Sequence, residues 1–153
     1  MANTTTAEAE VLSAPLTIEY PFRRSTGPIL GAFFTGLREG VVIGVKRADG
    51  SVLFPPAEYD PETAEALDDL VEVGQAGEVS AWSWVCTPRE KHLFDHPFAW
   101  ALIKLDGADT AMLHMVDTGD MARMKTGMRV KIRWADERVG HINDIACFVP
   151  EDD

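Results

Sequence analysis

Lys46 and Asp49, then Asp60 and Thr63, form two pairs of side chains with two residues between the members of each pair. That is the spacing of a structural zinc site, in which two tight turns face each other and each gives two soft ligands. None of the four is cysteine. A lysine ammonium repels a cation, and one aspartate per turn cannot hold zinc tetrahedrally. No zinc is therefore expected. Three other groups have types and spacing suited to chemistry. Arg129, Lys131 and Arg133 alternate with Val130, Ile132 and Trp134, so a strand here has one basic and one apolar face. The basic face suits the phosphates of a nucleotide-like cofactor, an acidic partner, or simply water. Arg89, Lys91, His92 and His96 fall in one long loop, where function often sits; two histidines with no third ligand are a weak metal signal. Trp82 and Trp84 share one side of a strand, with Trp100 on the next, and read either as barrel core or as a stacking surface. His114 reads as a barrel histidine, and Cys86 has no histidine near it in sequence to activate it. No phosphate-cradling glycine loop, paired-histidine zinc motif or serine elbow occurs.

The elements that must position these residues begin after a polar tail over residues 1–15. Leu16-Thr-Ile18-Glu-Tyr20 alternates like a strand and is stopped at Pro21; such an arm either lies on its own domain or docks on a partner. Pro28 to Glu39 predicts a helix, with Pro28 in the first turn, Leu30, Phe33, Phe34 and Leu37 on one face, and Gly40 as the stop. Val41–Val45 and Val52–Phe54 predict a hairpin turned at Asp49-Gly50. Pro61 to Leu70 predicts a short helix capped by Asp60. From Gly77 the pattern becomes short strands: Glu78–Val85, Phe98–Leu105, Ala111–Thr118, Arg129–Trp134 and Ile142–Val149, with one helical turn over Asp120–Lys125. Five short strands in this length fit a small Greek-key barrel, the OB fold. The expected fold is mainly β: an N-terminal arm, helix and metal-free ribbon over residues 16–76, then a five-stranded barrel over 77–150.

Composition narrows the function. The net charge is -11, and acids outnumber lysines and arginines in both halves of the chain. A nucleic-acid binder needs a cationic surplus to neutralise phosphates, and an acidic surface disfavours anionic membranes. No apolar run approaches the roughly 20 residues that span a bilayer, and the first ten residues do not have the form of a secretory signal. Cys86 and Cys147 are two distant thiols, as in a reduced, cytoplasmic protein.

Phe33-Phe34-Thr-Gly36-Leu37-Arg38-Glu-Gly40, Phe54-Pro55-Pro56 between the two turns, and Gly77-Glu-Val leading into the strands resemble the acyl-CoA-associated OB-fold family labelled domain of unknown function thirty-five. Its members join an N-terminal helix and a rubredoxin-like zinc ribbon to an OB barrel. The resemblance runs over roughly residues 28 to 150, and the missing cysteines set this chain in a branch that keeps the ribbon by packing. It implies a non-catalytic accessory subunit of a hetero-oligomer. The implied partner is a thiolase-like enzyme or a lipid-transfer-protein-type aldolase, with a MaoC-like hydratase as a further candidate. The subunit would bridge active chains and help to shape an acyl-CoA site, in breakdown of steroid side chains or other bulky acyl-CoAs. On this reading Phe33, Phe34, Leu37, Arg38, Trp82 and Trp84 face the partner. Arg89, Lys91, His92, Arg129, Lys131 and Arg133 are the candidate contacts for CoA phosphates. The competing reading is a stand-alone OB module for single-stranded nucleic acid, which needs a basic groove; a third is an enzyme using the loop histidines.

Overall fold

Pro28 pre-sets the first helical turn and Gly40 ends the helix in the left-handed region, at φ 77°. In the computed structural model, which describes residues 13–23 and 25–152, this helix (α1) spans Gly27–Glu39. The predicted tail lies outside the described residues up to position 12. Val41 N donates to Gly36 O at 2.8 Å, so the chain turns tightly back along the helix. Gly36 permits this: a Cβ there would lie 2.9 Å from Val41 O and 3.0 Å from Ile43 Cγ1.

The chain then builds a small antiparallel sheet from β1 (Ile43–Lys46), β2 (Val52–Leu53) and β3 (Asp69–Glu72), in the order β2-β1-β3. The predicted hairpin is β1–β2, with Val45 opposite Leu53. The predicted helix over Pro61–Leu70 does not form. Asp60 does cap a turn, accepting from the N–H groups of Glu62 and Thr63, and Ala64 N closes it onto Asp60 O. Ala64 then turns to φ 60° and the strand-like bridge Tyr59–Ala66 follows. Glu62, Glu65, Asp68, Asp69 and Glu72 are like charges at helical spacing, which destabilise a helix. Asp69 and Glu72 instead lie in β3.

The two turns that would carry zinc ligands are joined by an arginine. Arg47 Nε donates to Asp60 Oδ2 at 2.7 Å and Nη2 to Asp60 Oδ1 at 3.2 Å, with Asp49 and Glu62 at 3.3 and 3.2 Å from the same guanidinium. Arg47 and Asp60 are 12% and 6% exposed. The residues present do not fit zinc: Asp60 spends both oxygens on the guanidinium and on backbone N–H groups. Packing of Ile29, Val45 and Leu53 contributes, but packing alone, as expected from the sequence, is not what joins the turns. The Arg47 hydrogen bonds, followed by the Glu62 N–H, hold the Asp60 carboxyl well below its usual range. Such a carboxylate stabilises the fold above its ordinary value near pH 4 and stops doing so as pH falls through its folded-state value. Asp60→Asn is expected to lower the thermal midpoint at pH 7, and the gap to the parent to narrow as melts are repeated below about pH 4; a pH-independent gap contradicts the clasp.

The five predicted barrel strands form, as β4 (Ala76–Val85), β5 (Phe98–Leu105), β6 (Met112–Val116), β7 (Arg129–Trp134) and β8 (Ile145–Pro150). They close in the order β4-β5-β6-β8-β7. The β6–β8 pair is parallel, the others antiparallel. The helical turn predicted over Asp120–Lys125 is a 3-10 turn at Met121–Arg123, capped by Asp120. A second, Ile142–Asp144, takes the start of the last predicted strand because the buried Asp144 carboxylate ties the N–H groups of Val139, Gly140 and His141. One apolar core runs through both halves: Phe33, Leu37, Val42 and Phe54 of the front part pack in the same cluster as Val79, Ile103, Val130 and Phe148 of the barrel.

Candidate functional site

The tryptophan strand, β4, runs along the barrel wall. Trp82 and Trp84 lie opposite Ala101 and Ala99, both buried, so the two rings face the barrel interior over small neighbours. Both are half-buried and pack on the main core, with part of each side chain left accessible. Phe33 and Leu37, expected to face a partner, are instead 2% and 0% exposed, because the helix turns them into the core. Phe34 is half-buried against the same core, and Arg38 remains exposed on the helix.

The basic face of β7 is exposed but engaged. Arg129 makes a two-pronged pair with Asp106 at 2.7 and 2.6 Å, and its Nε meets Glu151 Oε2 at 2.9 Å. These hydrogen bonds raise the guanidinium and hold the Asp106 carboxyl low. Lys131 Nζ donates to Glu151 O at 3.0 Å. Arg133 pairs with Asp117 at 3.2 Å and stacks over Phe94 at 5.9 Å. The sequence stripe of three cations is thus matched by Asp106, Asp117 and Glu151, and is not a bare phosphate cradle.

The long loop, residues 86–97, folds over the outside of the barrel. His92 meets Phe98 edge-on at 5.3 Å, and Phe94 packs T-shaped on the same ring at 5.5 Å. His92 Nδ1 accepts from Arg89 N, and His96 Nε2 lies 3.5 Å from Asp117. His92 and His96 are therefore tied to different partners, and no group of three metal-binding side chains occurs among the described residues. Arg89 and Lys91 project from the loop, exposed.

Where this loop meets the sheet there is a cleft of about 370 Å³. Lys91 and His92 come from the loop, and Trp100 from β5. Leu113, His114 and Met115 come from β6. Asn143, on the turn before β8, completes the wall. In an OB barrel the second and third strands, with the loops joining strands one to two and four to five, are where ligands sit; the cleft uses those same parts. Loop length alone points to this region, but nothing local in the sequence marks Asn143 or Asp117. Asp117 stands in a Thr-Gly turn and reads as turn chemistry.

His114 is 8% exposed, against Phe148, and its Nδ1 has no hydrogen-bond partner. Burial pushes its imidazole down, so the ring is neutral at pH 7. Between the folded value and the ordinary one near pH 6.5 the unfolded chain binds the extra proton, so stability falls as pH drops through that window. His114→Leu is expected to flatten the fall in urea stability from pH 7 to 5 by up to about 1.4 kcal/mol per pH unit, the slope of one proton. Identical slopes for parent and variant contradict it. Both thiols are free: Cys86 is exposed, while burial pushes buried Cys147 up to about 11.

Residues 70–135 match the family model described as ChsH2, C-terminal OB-fold domain. No curated protein matches the sequence. Among solved structures, the fold is shared with a protein of unknown function of the DUF35 family from Sulfolobus solfataricus, at 24% identity over 69% of this chain and 78% of that one, TM-score 0.56. It is also shared with a chain of an Ltp2-ChsH2(DUF35) aldolase, at 17% identity over 86% of this chain and 98% of that one, TM-score 0.60. Over residues 70–135 the chain is thus similar to an OB-fold domain family, and its fold is the one seen in these two DUF35 structures.

Proposed function

We propose that the chain is a non-catalytic accessory subunit of an aldolase complex, held to its partner by the N-terminal arm. The arm carries the reading. Leu16, Ile18, Tyr20 and Phe22 are 65–83% exposed on consecutive alternate positions, and no described strand pairs with them. Of the two sequence readings for this arm, that exposure supports docking on a partner. Four large apolar side chains in a row are a surface that water disfavours and another polypeptide covers. The architecture supports the choice of partner, since the similar chain over 98% of its length comes from an Ltp2-ChsH2(DUF35) aldolase.

The finer reading is a thiolase-like or lipid-transfer-type aldolase acting on bulky, steroid-like acyl-CoA, with CoA phosphates met by Arg89, exposed on the long loop, rather than by the engaged cations of β7. A MaoC-like hydratase is a second candidate partner. The acidic balance of the chain favours this reading over a nucleic-acid module. The test is co-expression with a thiolase-fold aldolase subunit from the same source, followed by size exclusion and calorimetry. A complex is expected, weakened at least roughly tenfold when Leu16, Ile18, Tyr20 and Phe22 are all changed to Ser, as loss of a desolvated apolar anchor requires. Turnover of acyl-CoA by the purified chain alone, or unchanged affinity of the arm variant, overturns it.

A further inference from the structure

The cleft between the 86–97 loop, the β5–β6 face and the turn before β8 has a lining unlike the rest of the surface. The chain carries a net charge of -11, yet no carboxylate lines this cleft. The concavity around Arg129 includes Glu78 and Asp106; those around Glu90 and Asp60 and the groove along α1 also include acids. Lys91 is the one lysine or arginine in the lining, and it makes no ion pair among the described residues. The walls are otherwise apolar: half-buried Trp100, held T-shaped against Phe98 at 5.7 Å, with Leu113 and Met115 beside it. Exposed Asn143 and His92, whose Nδ1 is taken by Arg89 N, are the polar side chains on this wall; the His114 ring turns to the barrel interior, on the side of Ala101 and Phe148.

We infer that this cleft binds a small amphipathic carboxylate, a flat apolar ring system with one anionic head. Its volume, about 370 Å³, lies in the range of small-molecule sites, which are mostly apolar with a few polar groups that fix orientation. The indole of Trp100 offers a flat wall for the ring system. Lys91 supplies one point charge for the head, and Asn143 an amide donor. One cation matches one anionic group; a polyanion would leave charges unpaired in an acidic protein. The inference is independent of the proposed assembly, because it requires no second polypeptide.

The experiment is calorimetric titration of the full chain with 2-naphthoate, alongside the neutral 2-naphthalenemethanol and coenzyme A. One saturable naphthoate site is expected, with the alcohol at least roughly tenfold weaker, as loss of one charge-assisted hydrogen bond requires. Lys91→Met, on an exposed loop position, is expected to weaken naphthoate by the same roughly tenfold, while Lys104→Met, outside the cleft, leaves it unchanged. Trp100→Leu is expected to lose binding. Because that change also touches the Phe98 cluster, its circular dichroism and melt are recorded, and Lys91→Met is the deciding variant. No saturable binding, equal affinity for the alcohol, or an unaffected Lys91→Met overturns the assignment. Displacement of naphthoate by lower concentrations of coenzyme A overturns the single-charge class.

Discussion

Phe54→Ala is expected to destabilise the whole chain by about 3–5 kcal/mol, the usual range for emptying a buried phenylalanine site. Phe54 is 1% exposed and stands where the small sheet meets the barrel. Its ring meets Phe33 of α1 edge-on at 6.1 Å. Its backbone is bonded on both sides by one barrel side chain: Phe54 N donates to Thr110 Oγ1 at 2.7 Å, and that hydroxyl donates to Phe54 O at 2.8 Å. Asp109 repeats the link, with its N–H on Val52 O and its carboxylate on Val52 N. Because Phe54 shares a core with Leu37 and Val42 on one side and Ile103 and Val130 on the other, a cavity there is felt by both parts. Urea unfolding followed by far-ultraviolet circular dichroism and by tryptophan fluorescence is expected to give one coincident transition for parent and variant, shifted to lower urea in the variant. All four tryptophans lie at position 82 or beyond, so fluorescence reports the barrel. A variant in which the barrel signal stays put while the helical signal moves, or a loss below about 1 kcal/mol, would show that the two parts fold separately.

The barrel is legible in the sequence because its strands are short, β7 alternates cleanly between charged and apolar residues, and turn residues separate the runs, a local pattern. The ribbon is legible as a layout but not in what holds it. Spacing points to Asp60, which does lie at the junction of the two turns, yet its partner is Arg47, next to the expected Lys46. An ion pair thirteen residues apart has no period and leaves no local trace. The helix over Pro61–Leu70 fails for a related reason: the Asp60 cap and Pro61 are real start signals, but five acids at helical spacing and the competing β3 pairing win over them. Trp82 and Trp84 do share one side of a strand. Which side depends on Ala99 and Ala101 across the ladder, whose small size leaves room for indoles inside. That complementarity is visible in Phe98-Ala-Trp-Ala only once the register is known. The cleft is half legible: the loop cations stand out by clustering, but Asn143 reaches them from far along the chain, through barrel closure.

The family-like Gly77-Glu-Val has a physical cause that makes the second large prediction. Gly77 is buried where β4 is clamped between two neighbours, opposite Leu105 of β5 and Val130 of β7. A Cβ at this position would run into the carbonyl oxygen of Lys104 and come within 2.8 Å of Leu105 Cα. Both obstacles are backbone in a ladder, so neither can rotate aside as a side chain can. Gly77→Ala must therefore push β5 away or break its pairing, at the strand that closes the barrel onto β7. The expected cost is about 3 kcal/mol or more, the upper end for overpacking, because relief requires moving backbone. Gly107→Ala is the control. Nothing lies within 4 Å of a Cβ there, and its φ of 84° confines the penalty to local turn strain. Thermal melts of the two variants are expected to separate clearly, with Gly77→Ala the lower, and hydrogen exchange is expected to speed first at the amides of Ala76–Val79 and of residues 103–105. If Gly77→Ala melts with or above the control, the close approach of β4 to β5 is not what keeps this barrel shut.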